Sequence, residues 1–364
     1  MVTASVDERI YWVLLTMVKQ IGPARFNRLL ERFGSAEAAW NAPMLELAAA
    51  GLERRAVESL GTLRGTVDPE IEWQRIQKAG VSVTILDDPA YPGALREIAD
   101  PPPVLYVRGD LSPADDWAIA VVGTRRATVY GRQVTERIVS EVARAGVTIV
   151  SGLARGIDTY AHRAALAAGG RTLAVLGSGL DRVYPEENRA LADQIAKSGA
   201  ILTEFPLGTP PDATNFPRRN RIVSGLARAT LVVEADLKSG AANTTNHAAA
   251  QGRDVFAVPG SILSPFSSLP NQLIREGARV VTDASDILEE LHLTAVVEER
   301  AAREALPADP TEAALLQLLS DEPTHVDDLT RGSKLPSATV SATLTILELK
   351  GLARQLGSMQ YVRA

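Results

Sequence analysis

The segment from residue 215 to residue 221, Asn-Phe-Pro-Arg-Arg-Asn-Arg, combines cationic, amide and aromatic side chains within a short stretch. Between residues 215 and 228 there are four arginines and no acidic residue. A guanidinium group can hold a phosphate through two hydrogen bonds, and an aromatic ring beside it can stack on a base. The predicted chemistry is therefore anion binding, although the ring of Phe216 would equally suit the hydrophobic core. The candidate residues are Phe216, Arg218, Arg219, Asn220 and Arg221.

Three other segments place glycine, hydroxyl and cationic groups directly after apolar runs that are typical of buried strands. Parallel strands of an α/β sheet end at one edge, where such folds bind ligands, and the N-termini of the following helices attract anions. One such loop could hold a mononucleotide, whereas several along one edge would hold a strand. The candidates in these segments are Gly123, Thr124, Arg125 and Arg126; Ser151, Gly152 and Arg155; and Lys238, Ser239, Gly240 and Thr244.

Known nucleotide-binding and catalytic motifs match this sequence poorly. Gly177-Ser178-Gly179 lacks the third glycine of the dinucleotide fingerprint, because Arg182 stands at that position. The sequence contains no Walker-type phosphate loop and no nucleophile elbow. Asp158 is predicted to cap the helix that begins there, with a catalytic role as the alternative. We therefore predict that the protein uses no cofactor and no metal ion.

The alternation of apolar runs with amphipathic segments predicts an α/β fold, an extended Rossmann-like parallel sheet with helices on both faces. Glycines close most of the predicted helices, as is usual at helix C-termini. The strands of this sheet are predicted at residues 118–122, 147–151, 172–176, 200–204, 230–234, 254–258 and 279–282. Two further strands, at residues 81–86 and 104–107, are predicted before the regular alternation begins. The helices are predicted at residues 91–98, 129–145, 158–168, 186–198, 218–227, 241–251, 269–276 and 284–291.

Two small units are predicted to flank the α/β region. The N-terminal unit is all helical, and the turn Ile21-Gly22-Pro23-Ala24 resembles that of a helix-hairpin-helix or SAM-like module. The C-terminal unit has the three helices and hairpin of a winged helix, whose third helix often enters duplex DNA. That helix has no basic residue from Ser337 to Glu348, which favours a protein contact or a degenerate role. The predicted divisions are 1–66 helical, 67–293 α/β, 294–310 linker and 311–364 winged helix.

The bulk composition limits the function classes. A net charge of −6 argues against wholesale coating of nucleic acid, although it leaves room for a local basic groove. The sequence has no cysteine, which fits a reducing compartment. It shows neither a signal-peptide pattern nor an apolar run of membrane-spanning length. We therefore expect a cytoplasmic protein without membrane insertion.

Taken together, these motifs resemble the DNA-processing protein A (DprA/Smf) family. The segments that carry the resemblance occur in the family's order along the whole α/β region. They are Asp-Pro-Pro-Pro-Val-Leu-Tyr-Val-Arg-Gly (100–109), Ala-Val-Val-Gly-Thr-Arg-Arg-Ala-Thr-Val-Tyr-Gly (120–131), Ser-Gly-Leu-Ala-Arg-Gly-Ile-Asp (151–158), Gly-Ser-Gly-Leu-Asp-Arg-Val-Tyr-Pro-Glu-Glu-Asn (177–188), Asn-Phe-Pro-Arg-Arg-Asn-Arg-Ile (215–222) and Val-Phe-Ala-Val-Pro-Gly (255–260).

The resemblance implies a function in natural transformation and recombination rather than in catalysis. It implies binding and protection of incoming single-stranded DNA, homodimerisation, and loading of the recombinase RecA onto strands covered by single-strand binding protein. It places the DNA pocket at Thr124 and Arg125, at residues 216–221 and at residues 238–240.

This chain departs from the family pattern at residues 241–243 and 269–270. The departures bear on the shape of two loops and on any role of Asn271, and they leave the arginine-bearing loops unchanged. The main alternative is a nucleotide-cleaving enzyme of the lysine-decarboxylase-like family, whose Pro-Gly-Gly-x-Gly-Thr loop is absent after Pro259-Gly260. A second alternative is an adaptor whose basic loops bind an acidic partner.

Overall fold

The computed structural model describes residues 6–18, 20–291, 310–320, 323–349, 352–357 and 359–363. The chain divides into two compact units, residues 1–291 and 292–364, and each is described by itself. The predicted linker lies outside the described residues except for Pro310, which begins a helix. The finer division of the first unit at residue 66 remains a proposal, since helices and sheet share one hydrophobic core there.

The first unit begins with helices, as the sequence predicted for residues 7–66. Asp68 accepts hydrogen bonds from the backbone N–H groups of Glu70 and Ile71 and so caps a sixth helix, which was not predicted from the sequence. These helices are α1 (Val6–Met17), α2 (Pro23–Phe33), α3 (Ala36–Asn41), α4 (Met44–Ala49), α5 (Arg54–Thr66) and α6 (Pro69–Lys78).

A nine-stranded sheet forms the centre of this unit, in the order β1-β2-β6-β5-β4-β3-β7-β8-β9. Strands β3 to β9 run parallel, as predicted, because helices connect them on both faces. Strands β1 and β2, for which the sequence predicted no direction, are antiparallel additions at the β6 edge. The strands are β1 (Ser82–Ile85), β2 (Val104–Gly109), β3 (Ala118–Val122), β4 (Thr148–Ser151), β5 (Thr172–Val175), β6 (Ala200–Thr203), β7 (Ala229–Val232), β8 (Asp254–Ala257) and β9 (Arg279–Val280).

Both faces of the sheet are covered, so alternate residues of one strand enter different cores. On β2, Tyr106 packs with the N-terminal helices, whereas Leu105 and Val107 pack with the helices of the other face. The helices of the α/β region are α7 (Gly93–Arg96), α8 (Val129–Arg144), α9 (Ile157–Ala167), α10 (Arg189–Ser198), α11 (Asn215–Gly225), α12 (Gly240–Ala250), α13 (Ser268–Arg275) and α14 (Ala284–Glu290).

The strand order reverses direction at β3. The chain proceeds from β3 through β4 and β5 to β6, and then returns to place β7 on the other side of β3. Such a reversal opens a crevice outside the carboxyl ends of the two central strands. The predicted loops after β3, β4 and β7 all end at this crevice.

The second unit has the winged-helix arrangement that the sequence predicted, with one further strand. Leu315, Leu329, Val340 and Leu344 meet in its hydrophobic core. Its elements are α15 (Pro310–Leu318), β10 (Thr324–His325), α16 (Val326–Ser333), α17 (Ser337–Leu349), β11 (Ala353–Gly357) and β12 (Gln360–Arg363).

Candidate functional site

An open cleft of about 750 Å³ lies at the carboxyl edge of the sheet, where the strand order reverses. It is bordered by the loops after β3, β4 and β7 and by one face of α11. Most of the predicted site residues line it. They are Gly123, Thr124, Arg125, Arg126, Gly152, Phe216, Arg219, Asn220, Ser239, Gly240 and Thr244.

Helix α11 divides its arginines between two faces. Arg219 lines the cleft, as do Phe216 and Asn220. Arg218 and Arg221 instead share the buried carboxylate of Glu204, whose Oε2 lies 2.8 Å from one guanidinium and 2.7 Å from the other. The i, i+3 spacing of these two arginines puts both on one face of the helix. Of the three arginines of α11, one therefore lines the cleft and two anchor the helix.

Arg219 forms the cationic floor of the cleft. Its side chain is buried, and Nη1 donates to the carbonyl oxygens of Gly152, at 2.7 Å, and Val175. Its Nε has no hydrogen-bond partner among the described residues. Burial lowers the pKa of Arg219 to about 10, with Arg125 adding to the effect and Asp158 opposing it, so the group stays charged at neutral pH.

Gly152 is required for this arrangement. A Cβ atom at residue 152 would lie 2.4 Å from Nη1 of Arg219. Any larger residue would therefore displace the guanidinium from the floor.

Asp158 organises the loop after β4. Its Oδ2 accepts hydrogen bonds from the backbone N–H groups of Gly152, at 3.1 Å, and Ala154, at 3.3 Å. The predicted N-cap role is wrong, because α9 begins at Ile157 with Gly156 at its N-cap and Asp158 lies inside the first turn. Burial raises the pKa of Asp158, while Arg219 and the two backbone donors act in the opposite direction.

An aromatic pair borders the cleft beside Arg125. The rings of Phe216 and Tyr184 are 5.7 Å apart and inclined at 39°. The guanidinium of Arg125 lies 5.6 Å from the centre of the Phe216 ring. Gly177 leaves room for that ring, because a Cβ there would lie 2.8 Å from Phe216 Cδ1. Phe216 is half-buried, so part of its face remains available to a ligand.

The loop after β3 presents two exposed cations. The carboxylate of buried Glu234 accepts hydrogen bonds from the backbone N–H and the hydroxyl of Thr128, at 2.9 and 2.6 Å, and so fixes the start of α8. Arg125 and Arg126 precede this anchor and are exposed. Within the described residues, neither has a carboxylate at ion-pair distance.

The loop after β7 leads directly into α12. Ser239 lies before the helix, and its hydroxyl has no partner in the described structure. The amide of Asn220 donates to the carbonyl of Gly240 and to the Oδ1 of Asn243, both at 3.2 Å, and so joins α11 to α12. Asn243, which departs from the family pattern, thus takes part in holding the two helices together, and α12 is regular.

Asn271 has a structural contact. Its amide group exchanges two hydrogen bonds with the backbone of Gly260, at 3.2 and 3.0 Å. The departure at residues 269–270 leaves this contact with the loop after β8 in place.

Five predicted residues lie outside the main cleft. Ser151 is buried and donates its hydroxyl to the carbonyl of Val121 at 2.7 Å. Arg155 forms a two-bond ion pair with exposed Glu187, at 2.9 and 3.0 Å, and lines a small adjoining pocket. Lys238 is exposed at the margin. The other two residues are Arg218 and Arg221, which are held by Glu204.

Other cleft residues were absent from the predicted set. Tyr184 had a signal in the sequence, since it is an aromatic residue within one of the segments that resemble the family. Pro211 and Ala213 follow β6, and only the fold brings them to the cleft. Asp236 and Phe266 also line it.

Neither a metal centre nor a membrane span is present in the described part of the chain. No group of three or more histidine, aspartate or glutamate side chains there could hold a metal ion. None of the helices described is long and apolar enough to cross a bilayer.

Comparison with known families identifies all three regions of the chain. Residues 82–292 match the family described as DNA recombination-mediator protein A, which covers more than half of the sequence. The chain belongs to this family. Residues 6–60 match a DprA-like N-terminal HHH domain, and residues 299–358 match a DprA winged helix domain. The family prediction and the flanking-domain predictions are therefore confirmed.

Relatives match over most of their length. The Smf protein of Synechocystis is 36% identical, with 98% of this chain and 99% of the relative covered. The Smf protein of Escherichia coli is 39% identical, with 82% of this chain and 81% of the relative covered.

Two solved structures show the same fold. The DNA processing protein A of Streptococcus pneumoniae superposes with a TM-score of 0.69 at 34% identity, over 79% of this chain and 99% of that one. The DNA processing protein A of Helicobacter pylori, studied for its single-stranded DNA binding mode, gives a TM-score of 0.53 at 31% identity. The match covers 58% of this chain and 95% of that one.

Proposed function

We propose that this protein binds single-stranded DNA in the cleft and acts as a recombination mediator. In this proposal it protects incoming strands during natural transformation and, as a cytoplasmic homodimer, helps to load RecA onto strands covered by single-strand binding protein. Family membership supports the proposal, as does the relative from Helicobacter pylori, whose single-stranded DNA binding mode has been studied.

The observation that carries the DNA-binding part is the composition of the cleft. Arg125 and Arg126 offer guanidinium groups for phosphates without a carboxylate partner in the described structure, while Arg219 lies buried at the floor. Beside them, Phe216 and Tyr184 present ring surface on which a base can stack. Phosphate contacts and stacking carry little base information, so binding is expected to tolerate any sequence. A duplex, whose bases are already stacked on each other, cannot use the aromatic pair.

Arg125→Ala tests this proposal. Binding of a labelled single strand and of the matching duplex is measured by fluorescence anisotropy across a salt series. The wild type should prefer the single strand and lose affinity steeply with salt, and the variant should bind more weakly with a flatter salt dependence. For a single strand, the slope should decrease by about 0.7 for each phosphate that the variant no longer neutralises.

Arg144→Ala is the matched control, because Arg144 is an exposed arginine at the far end of α8. It should leave both the affinity and the slope unchanged. Equally weakened binding in the two variants, or equal binding of single strand and duplex, would remove the site from the cleft. Release of free base from nucleoside monophosphates would instead support the nucleotide-cleaving alternative.

A further inference from the structure

Four large apolar side chains are exposed beside the cleft, on two segments of the carboxyl edge. Ile262 and Leu263, in the loop after β8, are 91% and 90% exposed, and Val129 and Tyr130, in the first turn of α8, are 75% and 46% exposed. An isolated exposed leucine needs no explanation, whereas neighbouring exposed apolar residues often mark an interaction surface. We call these four residues the apolar rim.

The two segments are joined to each other and to the cleft. The hydroxyl of Tyr130 donates to the carbonyl of Pro259 at 2.8 Å, which fixes the loop after β8 against the start of α8. At the other end of the same loop, Phe266 lines the cleft, and its carbonyl accepts from the N–H of Ala235 at 2.7 Å. The apolar rim is therefore continuous with the cleft wall.

The charges around the rim favour an anionic occupant. From residue 123 to residue 135 the chain contains three arginines and no acidic residue, and from residue 255 to residue 274 it has no charged residue. Arg125 and Arg126, without carboxylate partners in the described structure, closely precede Val129. The carboxylate of Glu234 lies against this segment, but it is buried and accepts hydrogen bonds from Thr128. A surface with exposed cations beside exposed apolar groups has the composition of a track for unstacked nucleic acid.

We infer that single-stranded DNA leaving the cleft continues across the apolar rim, where Ile262 and Leu263 contact its unpaired bases. This inference rests on the proposed function of the cleft and adds a second stretch of contact. A strand long enough to reach the rim gains affinity there, whereas a strand that fills only the cleft does not. Duplex DNA gains nothing, because its bases are not available to the two aliphatic side chains.

The test measures how tightly the 364-residue chain binds oligonucleotides of two lengths. Ile262→Ser and Leu263→Ser are combined in one variant, and binding of a thymidine hexamer and of a thymidine strand of about twenty nucleotides is measured. The variant should bind the long strand about three- to tenfold more weakly than the wild type and the hexamer equally well. Both side chains are almost fully exposed, so the fold does not depend on them.

Leu45→Ser is the matched control, since Leu45 lies on α4 and is 83% exposed. It should bind both lengths as the wild type does. Unchanged binding of the long strand by the rim variant would overturn the inference, and would leave a protein partner as the occupant of the rim. Failure of the wild type to bind either strand would reject the proposed function itself, so the two failures are distinguishable.

Discussion

At the scale of single residues, the cleft depends on two residues, Gly152 and Asp158, that no ligand needs to touch. Gly152 gives Arg219 its space, and Asp158 holds the loop that supplies one of the carbonyl partners of Arg219. The sequence predicted Gly152 as part of an anion site, but it could not show that an arginine 67 residues later in the chain packs against it.

Gly152→Ala should therefore disturb the floor of the cleft. The added methyl group would lie 2.4 Å from Nη1 of Arg219, so the guanidinium must give up at least one carbonyl partner. We expect the free energy of unfolding to fall by about 1–3 kcal/mol and single-stranded DNA binding to weaken. Urea denaturation measures the first and fluorescence anisotropy the second.

Gly65→Ala is the control, because an added Cβ at that helical position has no atom within 4 Å. It should be neutral or slightly stabilising. A Gly152→Ala protein as stable as the wild type would mean that Arg219 is not fixed as described.

At the scale of elements, α11 is held in place by the side that faces away from the cleft. Glu204 follows β6 and binds Arg218 and Arg221, and Asp100 adds a 3.0 Å contact to Arg221. The cleft-facing residues Phe216 and Arg219 are thereby oriented before any ligand arrives. Order of this kind reduces the entropy lost on binding.

Glu204→Gln should loosen α11. The change leaves the buried guanidinium of Arg221 with half-exposed Asp100 as its remaining carboxylate partner in the described structure. Removing the charge of a buried ion pair is strongly destabilising. We expect the free energy of unfolding to fall by about 3 kcal/mol, measured by urea denaturation. Glu187→Gln, at the exposed ion pair with Arg155, should change stability little. Equal effects of the two changes would contradict the anchoring role.

The elements themselves could be predicted where burial dominates. Strand β3, at 118–122, was predicted to the residue because its run of apolar residues ends at a glycine. The antiparallel pairing of β1 and β2 could not be predicted, since an apolar run does not specify its neighbour or direction. The sequence also could not predict which arginines of α11 line the cleft and which anchor the helix, because this depends on Glu204 and Asp100 from other parts of the fold.

At the scale of the whole molecule, the centre of the first unit is a sheet that is buried on both faces. A buried histidine packed against this sheet makes the stability of the unit depend on pH. His162 is fully buried, and its Nδ1 lies 2.7 Å from the hydroxyl of Thr172. That hydroxyl donates its proton to the carbonyl of Ile149, so Nδ1 of His162 is the donor in their contact. Nε2 has no partner within the described residues, and burial, with a smaller effect of Arg219, lowers the pKa of His162 to about 3.

The wild type should lose stability as the pH falls from about 6.5 toward 3. In that range the unfolded chain takes up a proton at residue 162 that the folded chain cannot accept. The slope from this group is at most about 1.4 kcal/mol per pH unit. His162→Gln removes the titrating group and should unfold with a shallower acid dependence, measured as denaturant midpoints across the pH series. Identical acid dependence in the two proteins would contradict the buried neutral histidine.

The burial of Arg219 also has a consequence for how the cleft responds to its ionic surroundings. As the salt concentration rises, dissolved anions screen the charges of exposed Arg125 and Arg126, so the attraction of these two groups for phosphates weakens. Arg219 is buried, so dissolved ions cannot surround its guanidinium. Its electrostatic attraction is therefore screened much less at ionic strengths that screen Arg125 and Arg126. The attraction of the cleft for anions thus has a salt-dependent part, from Arg125 and Arg126, and a part from Arg219 that depends little on salt.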